Sequence, residues 1–184
     1  MTKSQTITIL ATLAVALSPA WGQEQQKKKQ PASPPATTSI SVDGKEISIK
    51  YGAPSRRDRK MFGADGRISK DPNYPVWRVG ANSATLLHTE ADLEINGLKV
   101  PKGDYTLFAK VDGPVWDLIV SKETGQWGLA YKEANDLGRV KMTMSKPAAT
   151  IETYKMTLSS GGGKKAKLQL EFEDVIAAVD IVVK

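Results

Sequence analysis

Trp77, Arg78 and Asn82 fall within one short run, Pro75-Val-Trp77-Arg78-Val-Gly80-Ala-Asn82-Ser-Ala-Thr85. Their chemistry suits recognition. Tryptophan offers a broad apolar face and one N–H donor. The arginine guanidinium is a rigid fork of five donors that matches carboxylate or phosphate. Asparagine donates and accepts at once. A second tryptophan, Trp127, sits in the polar stretch Glu123-Thr-Gly-Gln126-Trp127-Gly128. Together Trp77, Arg78, Asn82 and Trp127 form a candidate ligand-binding set. The plainer alternative is a structural corner, with Trp77 plugging the core and Arg78 and Asn82 bonding loop carbonyls.

Other candidates for chemistry are thin. Arg56-Arg57-Asp58-Arg59-Lys60-Met61-Phe62-Gly63 reads as a solvated loop with Met61 and Phe62 tucked under the domain. Its alternative is a cationic lip for an anionic ligand. A hydrolase acting on glycan or envelope material needs a pair of carboxylates in one cleft. Asp58, Asp65, Asp71 and Asp136 are the acids available for that role. His88 is the single histidine, and there is no cysteine. A zinc site draws on several such ligands, so no metal is expected. A Ser-His-Asp triad would have to use His88, which lies in strand register among Thr and Leu and reads as a core or cross-strand residue. No phosphate-loop, dinucleotide or EF-hand spacing occurs, so no cofactor is expected. The balance is against an enzyme.

The elements around these residues are short and alternating. Ser39–Val42 and Glu46–Tyr51 flank Asp43-Gly44, and Ala91–Ile95 and Leu98–Val100 flank Asn96-Gly97. Both dipeptides are type I′ hairpin signals. Further alternation covers Tyr105–Val111, Trp116–Val120, Arg139–Ser145, Glu152–Leu158, Lys167–Glu173 and Ala178–Val183. Leu129 to Asp136 has room for one helical turn, and Ser159 to Gly163 reads as a flexible turn. About ten strands without an amphipathic helix predict an all-β fold, an antiparallel β-sandwich or jelly-roll-like domain. Val140, Met142, Tyr105, Leu107, Leu168, Leu170 and Phe172 are the expected core. Phe108 and Ile119 point away from it, which predicts strands covered on both faces. The run from Gly52 to Val76 is long for a loop, yet its two aromatics and Met61 predict that it is packed.

The N-terminus reads as an address. Lys3 precedes an apolar run, Ile7 to Leu17, and Ala20 and Gly22 supply a small-residue cleavage site. This is the pattern of a secretory signal peptide over residues 1–22. The apolar run is too short to span a bilayer. Export to the periplasm or outside the cell, and a soluble mature protein with no transmembrane segment, are therefore expected. Gln23 to Thr38, rich in Gln, Lys and Pro, reads as a linker, leaving one domain over residues 39–184. The chain carries 26 basic and 20 acidic residues, net +6. Removing Lys3, Lys27, Lys28, Lys29 and Glu24 leaves 22 against 19, net +3. Such mixed charge does not make the basic face a nucleic-acid binder needs. The expected partner is a ligand or an envelope component.

Five blocks occur in order: Pro54-Ser55, Arg59–Gly63, Val76–Thr85, Pro101–Leu107 and Gln126–Gly128. Their combination resembles the DUF2911 family, bacterial secreted or periplasmic proteins with no assigned function. The resemblance spans nearly all of Ser33 to Val183 and implies an exported β-sandwich-like domain. It carries over no catalytic residue. The Asp65–Tyr74 segment is longer than the family's run before the Trp-Arg block, which bears on the shape of any nearby pocket.

Overall fold

A computed structural model describes residues 32–184. The expected signal peptide, and all of the expected linker up to residue 31, lie outside them. The strands, in chain order, are β1 (Pro35–Val42), β2 (Lys45–Gly52), β3 (Val76–Trp77), β4 (Thr85–Thr89), β5 (Leu93–Ile95) and β6 (Leu98–Val100). Next come β7 (Gly103–Lys110), β8 (Asp117–Ser121), β9 (Asp136–Lys141), β10 (Thr143–Ser145), β11 (Ile151–Gly162), β12 (Lys165–Glu173) and β13 (Val175–Val183). Helix is confined to two 3-10 turns, Ile68–Lys70 and Glu133–Asn135.

The strands form two antiparallel sheets. The larger runs β1-β2-β4-β7-β8-β9, with β3 added beside β7. The smaller runs β11-β12-β13-β5-β6, with β10 on β13. Their inner faces make one core, and the seven residues expected there are all buried. Both hairpin dipeptides adopt the backbone they were read for: Asp43 and Gly44 at φ 53° and 71°, Asn96 and Gly97 at 43° and 89°.

Two boundaries differ from the sequence reading. β1 begins at Pro35, so the last four residues of the expected linker are strand. The strand lies at the sheet edge, where a proline at the first position removes no ladder bond that a neighbour needs. β11 runs on through Gly161 and Gly162, so the turn shrinks to Gly163-Lys164.

The outer face of the larger sheet is covered on one half. Phe108 and Ile119 point outward yet are buried. The chain between β8 and β9 folds over them, with Tyr131 edge-on to Phe108 at 4.9 Å. The Tyr131 hydroxyl donates to Asp136 at 2.9 Å and accepts from Arg139 at 2.7 Å. Burial, then the bond to Asp136, pushes it up to about 12. Among the described residues, the other half of this face, over β1, β2 and β4, stays open.

Candidate functional site at the end of the sandwich

The long Gly52–Val76 connection is packed through Met61 and Phe62, as expected, whereas its other aromatic, Tyr74, is exposed. Phe62 lies 4.8 Å from the Trp116 ring and edge-on to Trp77 and Phe172. Met61 is buried. The backbone N–H groups of Met61 and Phe62 donate to the two carboxylate oxygens of Glu173, at 3.1 and 3.2 Å. One side chain at the end of β12 thus holds the loop onto the smaller sheet.

The Trp77–Thr85 block turns back sharply above this loop. Val79 and Asn82 have φ of 41° and 65°. Asparagine tolerates that region; a β-branched valine does not, so surrounding contacts must impose it. The buried Thr85 hydroxyl lies 3.1 Å from both the Arg78 and Val79 carbonyls. Gly52 lets the chains approach, because a Cβ there would sit 2.3 Å from the Ala81 carbonyl oxygen.

Trp127-Gly128 docks on the same block. The Gly128 N–H donates to the Asn82 carbonyl at 3.1 Å, and Ser83 bridges Trp127. A Cβ on Gly128 would come within 2.6 Å of Arg78 Cδ, so the arginine stem lies directly over that glycine. Motif blocks far apart in sequence therefore converge here.

What they enclose is a cleft of about 340 Å³. All four candidate binding residues border it, with Arg59, Arg67 and Asp71. Their parts differ. Trp77 is 2% exposed and belongs to the core; it is the rear wall. Trp127 is 56% exposed at the mouth. The Asn82 amide reaches the Ser33 carbonyl at 3.4 Å, close to the limit of a hydrogen bond.

Arg78 is the central group. Its side chain is 14% exposed, and it donates to Asp71 at 3.4 Å. Its Nε is buried without a partner among the described residues. It donates to no loop carbonyl there, so the structural-corner reading does not describe it. Burial pulls its pKa below the ordinary arginine value, against the Asp71 carboxylate and with Arg67. The cost of burial is thus only partly offset, although the group stays protonated. Asp71 also takes Arg67 at 3.1 Å. Three arginines line the cleft against this one paired carboxylate, leaving it electropositive. Such a site can accept an anion through a two-toothed pair.

Sequence reasoning names Trp77, Arg78, Asn82 and Trp127, which the structure brings to one cleft, and offers Arg59 and Asp71 for other roles. It missed Arg67. The spacing to Asp71 across the Ile68–Lys70 turn was the available signal.

The four acids offered for hydrolysis are engaged separately or exposed. Asp71 is held by two arginines, and Asp136 by Tyr131 and Arg139. Asp58 and Asp65 are exposed. His88 is a cross-strand residue on the open face, bonded through Nδ1 to Asp104 at 2.7 Å. Ser48 stands opposite it in register, but no hydrogen bond joins Ser48 to the ring among the described residues. Those residues also contain no cluster of His, Asp and Glu able to hold a metal ion. None of their helices is long and apolar enough to cross a membrane.

Fold and site together define an all-β sandwich with an arginine-lined cleft at one end. The chain belongs to the DUF2911 family, described as proteins of unknown function, whose model matches residues 33–181. No curated protein and no solved structure matches it.

Proposed function

We propose that this protein is an exported, non-catalytic binding module of the bacterial cell envelope, and that its end cleft captures a small carboxylate- or phosphate-bearing ligand. The observation that carries the reading is the Arg78 guanidinium: mostly buried, held by one long bond to Asp71, and with Nε unpartnered. Buried donors without partners are costly and uncommon, and an anion entering past Trp127 would satisfy them.

Titration calorimetry with glucuronate and with inorganic phosphate tests this. At least one should bind the full domain, and Arg78→Lys should weaken it more than tenfold, because lysine lacks the planar fork. The same change should cost under about 1.5 kcal/mol in urea, since only one long charged bond is lost. Absence of binding by the parent at millimolar ligand, or an Arg78→Lys variant that binds normally, would overturn the proposal.

Export is the second half of the reading. It rests on the n-region, short apolar run and small-residue site at the N-terminus. Intact-mass measurement of the secreted chain should give Gln23 as the first residue. A membrane-held chain that still begins at Met1 would refute it.

A further inference from the structure

The Arg78 cleft does not end at its own rim. Ser33, Ala81 and Asn82 line it and also line a groove of about 560 Å³ on the open half of the larger sheet. That groove shares Thr37, Lys50 and Leu86 with a third hollow of about 410 Å³. The floor follows β2 from Gly52 to Glu46. At strand rise this is about 20 Å, far longer than a small anion requires.

The floor's chemistry narrows the occupant. Lys50 and Leu86 are register partners on adjacent strands, so a cation and an apolar surface lie side by side. Thr37 supplies an exposed hydroxyl along the same groove. Gln126, whose amide nitrogen is taken by the buried Thr106 hydroxyl and the Glu123 carbonyl, keeps an unpartnered carbonyl oxygen among the described residues. This is a face of the sheet, and the backbone groups of β2, β4 and β7 are already paired with their neighbours. A peptide added as an extra strand needs a free edge, which these strands do not offer. The edge strand β1 beside them lies against β11, whose Leu158 N–H donates to the Thr38 hydroxyl at 3.0 Å. A pyranose chain needs none: its ring C–H surface suits Leu86 and the exposed Trp127 ring, and its hydroxyls suit Thr37 and the Gln126 carbonyl oxygen. Glu46 and Asp104 close the far end, where a further carboxylate would meet like charge.

We infer that the ligand is a short acidic oligosaccharide, with one uronic carboxylate at Arg78 and the following units laid over the Ser33–Asn82 rim onto Lys50 and Leu86. The inference rests on the anion reading of the cleft and adds the class and length of the ligand.

Galacturonic acid and its oligomers up to the hexamer, titrated into the full chain, test it. Affinity should rise at least tenfold from monomer to trimer and then level off. Lys50→Glu, at an exposed position, should remove that gain and leave the monomer unchanged. Leu86→Ala should reduce the gain in the same way. If monomer and hexamer bind equally, the extended site is wrong while the anion cleft stands. If neutral cello-oligosaccharides or a polyglutamate peptide bind as well as the trimer, the acidic-sugar assignment is wrong. If no galacturonate of any length binds while inorganic phosphate does, the acidic-sugar assignment is wrong and the anion cleft stands; if neither binds, the cleft reading itself falls.

Discussion

Trp77→Ala should cost about 3–5 kcal/mol, the range for emptying a large aromatic site in a core. Its ring is 2% exposed. It lies 5.0 Å from Tyr154, 5.6 Å from Phe62, 6.1 Å from Trp116 and 6.4 Å from Phe172, mostly edge to face. Phe62 comes from the long loop and Phe172 from the opposite sheet, so removing Trp77 detaches three parts of the structure at once. A domain holds only about 5–15 kcal/mol in all, so the urea midpoint should fall by a large fraction. Trp127→Ala is the matched control. Its ring is 56% exposed, and stability should stay within about 0.5 kcal/mol while ligand binding drops. A Trp77→Ala loss below about 1 kcal/mol would place that ring outside the core.

The contrast between the two tryptophans marks how far the sequence could be read. Residue type singled out both as candidates for recognition. Nothing in type or spacing separates a ring that walls a cleft from one that guards its mouth, since that depends on contacts with Phe62 and Phe172, distant in the chain. Arg78 shows the same limit from the other side. Its fork was visible, but whether carbonyls use the fork depends on where the Gly52–Val76 loop lies. Glu173 decides that position, and Gly128 leaves room for the arginine stem; neither announces itself locally.

Faces were more legible than partners. Alternation over Arg139–Ser145 reads as one strand, and Val140 and Met142 are indeed both buried. Yet the chain changes sheets at Met142. β9 pairs with β8, whereas β10 pairs with β13, and the Met142 N–H donates to the Trp116 carbonyl at 2.9 Å. Period-two alternation states which side chains go inward; it carries no information on which neighbour supplies the ladder. The buried Tyr154 hydroxyl, which has no partner among the described residues, is illegible for a related reason. Its place in the aromatic cluster is set by ring packing, and the polar tip follows the ring.

Leu170→Ala should cost about 2–5 kcal/mol, and it tests that inward register directly. Leu170 is 1% exposed on the inner face of β12. Its register partners are Met156 on β11 and Ala177 on β13. Ala177 is small and fixed in a central strand, so it cannot move in to fill the space, and of these two neighbours only the flexible methionine can relax. That places the expected loss above the floor of the range. Gln169 stands one residue away and faces outward, its amide on the Glu171 carboxylate at 2.8 Å. Gln169→Ala should therefore change stability by no more than about 0.5 kcal/mol. A slip of one residue would exchange the two results, because it turns every side chain of the strand to the other face. Paired urea melts with equal slopes read the difference without reference to absolute stability. Comparable losses in the two variants would show that β12 is not paired in the register on which this face of the core depends.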